Sequence, residues 1–136
     1  MKRRTLQLCA LICCILLSIS TVHAEQTTDI QPRYNYLINY SACITVDNSS
    51  SSVICTAKII ATGSLNINAE CKLQRLINSV WVTVDSWTET GCGILEIEEK
   101  CNVISGYRYR FTYTAKISNS STVLESVSKS DYTTYN

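Results

Sequence analysis

Strict alternation between two kinds of side chain is the feature that most restricts the fold of this chain, and it is clearest at residues 107–117. The odd-numbered positions there, from Tyr107 to Ile117, are aromatic or aliphatic, whereas Arg108, Arg110 and Lys116 occupy even-numbered positions. Successive side chains of a β-strand point to opposite faces of a sheet, so a period of two predicts a half-buried strand. Interleaved basic and aromatic residues also occur on nucleic-acid-binding surfaces, but the strict sorting favours a strand whose rings form a core.

The same alternation recurs along the chain, with Ser, Asn and Gly clusters between the alternating runs. The sequence has one proline and no Ala/Leu/Glu-rich stretch that would favour a helix. We therefore predict seven strands, at residues 39–47, 53–61, 66–76, 80–88, 94–103, 107–117 and 123–133. Seven short strands within about 100 residues are typical of an antiparallel two-sheet sandwich, with an open barrel as the alternative.

The first 24 residues have the pattern of an export signal. Three cations, Lys2 to Arg4, precede an apolar run from Leu6 to Ile19, and Val22-His23-Ala24 fits a signal-peptidase site. We expect cleavage before Glu25, a polar N-terminal lead over residues 25–38 and one domain over residues 39–136; an uncleaved anchor is the alternative. After cleavage no further apolar stretch is long enough for an anchor, so a secreted, extracellular protein is expected.

Removal of the signal lowers the net charge and removes the one histidine, His23. The remaining chain has nine Lys/Arg and eleven Asp/Glu, a net charge of −2. Without histidine a Ser-His-Asp triad or a His-based zinc site is excluded, and a mildly acidic chain is a poor nucleic-acid partner. Glu96 and Glu98 alternate with apolar residues, which indicates a solvent-facing strand face rather than a glycosidase pair. We predict no catalytic residue, no metal and no cofactor.

Five cysteines lie beyond the signal, at positions 43, 55, 71, 92 and 101. Cysteines of an exported protein commonly form disulfides. Cys55 and Cys71 fall on the predicted inward faces of successive strands and are our candidate pair. The odd cysteine is either buried and inert or able to link two chains, so we expect a monomer, with a disulfide dimer as the alternative.

Two tryptophans of equal parity, Trp81 and Trp87, occur in the fourth predicted strand. If the intervening valines face the core, both indoles stand on an open sheet face about 20 Å apart, where they can contact a protein or a sugar. Alternatively, a β-bulge turns one indole into the core. Together with Arg108, Arg110 and Lys116, these tryptophans form the candidate partner surface.

Three segments, WVTVDSW (residues 81–87), CKLQR (71–75) and SGYRYR (105–110), together resemble a family of small secreted proteins. This family, from Gram-positive, clostridia-type bacteria, has an immunoglobulin-like β-sandwich and no known function. The resemblance covers most of residues 40–132 and implies a single immunoglobulin-like sandwich with no catalytic residues. The five cysteines depart from the cysteine-poor pattern of the family.

Taken together, these features predict a secreted, non-enzymatic interaction module. Its expected partner is an extracellular protein or glycan. The alternative is a carbohydrate- or cell-wall-binding module that uses exposed tryptophans.

Overall fold

The computed structural model of the protein describes residues 33–136. Seven strands fill most of this range, with bounds β1 (Leu37–Asp47), β2 (Ser52–Ala61), β3 (Asn66–Ile77), β4 (Val80–Cys92), β5 (Ile94–Asn102), β6 (Tyr107–Asn119) and β7 (Thr122–Tyr135). No stretch of residues 33–136 is a helix able to cross a membrane. The predicted signal peptide, residues 1–24, and residues 25–32 of the predicted lead lie outside the described residues.

The strands form two antiparallel sheets. One contains β1, β2 and β5 in the order β1-β2-β5, and the other has the order β4-β3-β6-β7. The two sheets are connected through a single residue pair, Cys92 with Ile94. The predicted all-β fold of seven strands in two antiparallel sheets is confirmed.

The core lies between the two sheets and contains the odd-numbered residues of β6 from Tyr109 to Ile117. The rings of Tyr109, Phe111 and Tyr113 are at most 1% exposed. Apolar residues at alternate positions of β2, β3 and β5 complete this layer, so the period of two in the sequence corresponds to burial on one face of each strand. Burial of such side chains stabilises the fold by about 1.5–3 kcal/mol for each large residue.

The chain passes from β4 to β5 through a glycine turn that depends on the absence of a side chain. Gly93 has a φ of +70°, and a Cβ atom there would lie 2.7 Å from the carbonyl oxygen of Gly63. Its N–H donates to the carbonyl of Leu65 and its carbonyl accepts from the N–H of Ala61. The turn is therefore fixed between the two sheets, and only glycine fits it without strain.

The opposite side of the sandwich, where β1 approaches β7, is closed by side chains of β7. The carboxylate of Glu125 accepts hydrogen bonds from the backbone N–H groups of Asn35, Tyr36 and Leu37. Farther along, Asp131 accepts from the N–H of Ile44 at 2.9 Å. The Glu125 bonds hold residues 35–37 on the sandwich, and β1 begins at Leu37, two residues before the predicted start.

A tyrosine fixes the loop between β5 and β6. The hydroxyl of Tyr109 donates to the carbonyl of Ile104 and accepts from its N–H, both at 2.9 Å. A hydroxyl that both donates and accepts satisfies two backbone groups that would otherwise need water. The buried ring of Tyr109 thus connects the loop to the core.

Candidate functional site

A β-bulge in β4 determines where the two tryptophans lie. Opposite β3, Leu73 pairs with Asp85, but the next residue, Gln74, pairs with Thr83, so Val84 has no partner on β3. One extra residue in a strand reverses the faces that its side chains occupy beyond it. Trp81 and Trp87 have equal parity in the sequence but therefore lie on opposite faces of the sheet.

Trp87 is on the core side of the bulge. It pairs with the buried Cys71, and its indole stacks on the ring of Phe111 with centroids 5.9 Å apart and planes within 5°. The indole nitrogen is buried without a hydrogen-bond partner among the described residues. The arrangement with both indoles on the open face is thus not formed, and the alternative, in which a bulge turns one tryptophan inward, is the one observed.

Trp81 lies on the outer face of the four-stranded sheet, where it contacts residues of β6 and β7. The guanidinium of Arg110 is 4.6 Å from the centroid of the Trp81 ring, and the Tyr132 ring lies 5.8 Å away at an angle of 50°. Arg110 also donates from Nε and Nη2 to the side-chain oxygen of Gln74, at 2.9 and 2.6 Å. The side chain of Arg110 is therefore held in one orientation by a ring and an amide.

Arg108 extends this group along β6. Its guanidinium lies 5.3 Å from the centroid of Tyr132, a ring that is 45% exposed. We call Gln74, Trp81, Arg108, Arg110 and Tyr132 the arginine–aromatic cluster. Within residues 33–136 neither arginine forms an ion pair, since the three salt bridges there involve lysines only.

The other cations of this face follow the cluster along the sheet. Lys72 lies opposite Thr112, and Lys116 is paired with Glu70 at 3.1 Å. The outer face of the four-stranded sheet thus has four cations and one carboxylate, Glu70. Lys116, the third predicted basic residue of the partner surface, is on the same face as the arginines but lies beyond the cluster.

The outer face of the three-stranded sheet differs in its charge balance. It carries two lysines, Lys58 and Lys100, and two glutamates, Glu96 and Glu98. Lys58 is bonded to Glu96 at 2.7 Å, and Lys100 to Asp47 at 2.8 Å. With Asp47 this face has two cations and three carboxylates, a net charge of −1, so the excess positive charge of the two outer faces lies on the one that carries the cluster.

The five cysteines divide into two exposed thiols and three buried ones, and each is a free thiol in this structure. Cys43 and Cys92 are exposed, whereas Cys55, Cys71 and Cys101 are buried. The Cys55–Cys71 disulfide predicted from the sequence is not formed. Within the core the near neighbour of the Cys55 thiol is Cys101, on the adjacent strand β5, whereas Cys71 on the other sheet influences it only at longer range.

Two of the three buried thiols, Cys55 and Cys71, resist ionisation, whereas the hydrogen bond with Cys55 lowers the pKa of Cys101. The hydrogen bond with Cys101, together with burial, raises the pKa of Cys55, and burial raises the pKa of Cys71 to about 12. A thiol reacts as its thiolate, so neither residue has the depressed pKa of a catalytic nucleophile. Among the described residues no group of three metal-ligating side chains is arranged to hold a metal ion.

Sequence reasoning found the two arginines and Trp81 but missed the residues that orient them. Gln74 is one of many polar residues on strand faces, and Tyr132 lies in the weakest predicted strand. Both residues can be identified once the strand order is known, because Gln74 on β3 and Tyr132 on β7 flank Arg110. That order is not evident from local periodicity.

Comparison with known proteins gives no relative from which a role can be transferred. No protein-family model matches the chain, and no curated protein or solved structure is significantly similar to it.

Proposed function

We propose that this protein is a secreted, non-enzymatic interaction module with an immunoglobulin-like sandwich, and that it contacts an extracellular partner through the arginine–aromatic cluster. The proposal rests on the surroundings of the Arg108 and Arg110 side chains. Both guanidiniums lie over aromatic rings on an outer sheet face and lack an ion-pair partner within residues 33–136. Arginine and aromatic residues are enriched at the energetic centres of interfaces.

The immunoglobulin-like part of the proposal rests on strand order and on Tyr109. Constant-type immunoglobulin domains place the first, second, fifth and fourth strands in one sheet and the third, sixth and seventh in the other. The order here differs in the fourth strand, which pairs along its length with β3. Tyr109, near the start of β6, bonds to the backbone five residues upstream, as the tyrosine corner of such domains does.

Secretion and family membership are proposed on the sequence alone. Residues 1–24 have the pattern of a signal peptide, and the segments around Trp81 and Tyr107 resemble the clostridia-type family of secreted sandwiches. Determination of the N-terminus of the exported protein tests the first point. An N-terminus at Glu25 supports the proposal, whereas retention of residues 1–24 in the mature protein contradicts it.

A binding assay on cell envelopes tests the interaction role. The secreted protein is incubated with intact cells or isolated envelopes, and bound protein is measured for wild type, Arg108→Ala/Arg110→Ala and Lys58→Ala/Lys100→Ala. The second double variant removes two cations from the outer face of the three-stranded sheet and serves as the matched control. We expect binding to fall only in the arginine variant; equal binding of all three proteins would contradict the assignment of this face.

A second candidate function is favoured by the Trp81–Tyr132 pair. Two aromatic rings 5.8 Å apart on an outer sheet face provide a small surface on which a neutral sugar ring can stack. In that case Trp81→Ala abolishes binding to a neutral glycan and the arginine variant retains it. This stacking surface consists of Trp81 and Tyr132, since Trp87 lies against the core.

A further inference from the structure

We propose that the ligand of this face is a linear acidic polysaccharide that lies along β6 and β3, over the arginine–aromatic cluster and the lysines beyond it. This inference rests on the proposed function and specifies its partner. It follows from the spacing of the cations, from the chemistry of the residues that flank them and from the way in which the arginines are held.

The cations form a row along the sheet. Arg108 and Arg110 stand two residues apart on β6, Lys72 is level with Thr112, and Lys116 lies four residues farther. Since a strand rises about 3.3 Å per residue, the row spans about 27 Å and places most neighbouring cations about 7 Å apart. Glu70, level with Thr114, is the one carboxylate of the row and is paired with Lys116. A row of this length fits an extended polyanion better than a single anion.

Short hydroxyl side chains border the row on both sides. The outer-face positions of β7 next to it are Ser126, Ser128, Ser130 and Thr134, and those of β4 include Thr83, Ser86, Thr88 and Thr90. Two of the β7 serines are bonded to threonines of β6: Ser128 pairs with Thr114, and Ser130 donates to Thr112. The long cationic side chains thus extend from a surface that can both donate and accept hydrogen bonds.

This polarity favours a polysaccharide over a protein partner. The buried centre of a protein interface is enriched in arginine and aromatic residues but depleted of lysine and carboxylates. On this face the centre is occupied by Lys72 and threonines, and the two arginines and the rings of the cluster lie at one end. A hydroxylated, charged chain can satisfy such a surface along its whole length.

The arginines are arranged to bind an anion with little further ordering. Arg110 uses Nε and one hydrogen of Nη2 for Gln74, which leaves three of its five N–H donors for a ligand. Because Gln74 and Trp81 already fix the side chain, less conformational entropy is lost on binding than for a mobile arginine. Planar guanidiniums bind carboxylates through two parallel hydrogen bonds.

Three immobilised polymers test the inference: polygalacturonate, neutral dextran and poly-L-glutamate. Binding of the secreted wild-type protein, of Arg108→Ala/Arg110→Ala and of the control Lys58→Ala/Lys100→Ala is measured at low and high salt. We expect wild type and control to bind polygalacturonate in preference to the other two polymers. Loss of two charge-assisted contacts should weaken this binding by roughly tenfold or more in the arginine variant, and added salt should weaken it for every protein.

Each of the following outcomes would overturn the polysaccharide inference. The proposed interaction role would still be decided separately, by the envelope-binding assay. Equal or tighter binding to poly-L-glutamate would identify an acidic polypeptide as the partner instead. If the arginine variant binds dextran as wild type does, the result would favour neutral-sugar stacking on Trp81 and Tyr132. A further outcome is envelope binding that requires the arginines and yet persists in the presence of soluble polygalacturonate. That result would support the arginine–aromatic cluster as the binding surface and contradict an acidic polysaccharide as its ligand.

Discussion

The indole of Trp87 lies parallel to the ring of Phe111, with the two centroids 5.9 Å apart, and so connects β4 to the central strand of the core. Trp81, six residues earlier on the same strand, contacts Arg110 on the outer face instead. The two tryptophans therefore have different roles. Trp87 contributes to stability, and Trp81 belongs to the candidate site. Their substitution should separate these two effects.

Trp87→Ala should lower the free energy of unfolding by about 2–3 kcal/mol, because it removes a half-buried ring that stacks on Phe111. Trp81→Ala, the matched control, removes the same side chain from the outer face and should cost much less. Urea denaturation followed by circular dichroism measures both. Equal losses for the two variants would show that the bulge at Val84 does not separate the indoles as described.

Glu125→Ala should loosen the start of β1, since its carboxylate accepts from three successive N–H groups, including that of Leu37 at 3.0 Å. Only the Leu37 N–H is partly buried, and leaving such a donor without its charged acceptor costs about 1–3 kcal/mol. Glu98→Ala, on the outer face of β5, is the control and should be nearly neutral. Hydrogen exchange at the Leu37 amide should become faster in the first variant alone; unchanged exchange would contradict the contact.

Two cysteines of the described domain should react with iodoacetamide in the folded protein. Cys43 and Cys92 are exposed, whereas Cys55, Cys71 and Cys101 are buried. Peptide mapping after labelling at pH 8 should therefore find alkylation at the two exposed positions only, and at all five after labelling in denaturant. Alkylation of Cys71 without denaturant would contradict its burial.

Stability should also depend on the ionised state of Asp47. Hydrogen bonds from Lys100, and then from Ser49 and Ser50, hold the pKa of this carboxyl well below its ordinary value of 3.8. A lowered pKa in the folded state means that the stabilisation is present above the unfolded-state pKa and is lost as the pH falls through the lower folded-state value. The difference in melting temperature between wild type and Asp47→Asn should thus shrink as the pH falls from about 5 to 2.

Glu98→Gln, whose carboxyl has no hydrogen bond among the residues described, is the control for this titration. A constant difference between wild type and Asp47→Asn over the same pH range would show that the ion pair with Lys100 contributes nothing through its charge.

The alternation in β6 was sufficient to predict the fold class because each inward residue, from Tyr109 to Ile117, is buried as its parity requires. The Ser, Asn and Gly clusters gave six of the seven strands to within two residues at each end, but β4 continues to Cys92, four residues beyond its predicted end. The bulge at Val84 could not be located, because an extra residue in a strand changes neither composition nor local hydrophobicity. Its position depends on the register between β4 and β3, which is a property of the folded pair.

Only part of the candidate site could be predicted from the sequence, and the reason is related. Arg108 and Arg110 are evident as a basic stripe on one strand, but the residues that orient them come from strands distant in sequence. Gln74 lies 36 residues before Arg110, and Tyr132 is its cross-strand neighbour on β7. The candidate pair Cys55 and Cys71 has the same limit, since inward-facing parity places both residues in the core without determining which thiols meet there.

Glu125 and Asp131, which bind N–H groups at the start and middle of β1, also affect how copies of the protein behave at high concentration. A bare strand edge presents N–H groups on which another chain can add a strand and start a fibril. Here carboxylates of the same molecule occupy four of those donors, from Asn35 to Ile44. Local crowding of the protein at a surface should therefore not lead to polymerisation through this side of the sandwich.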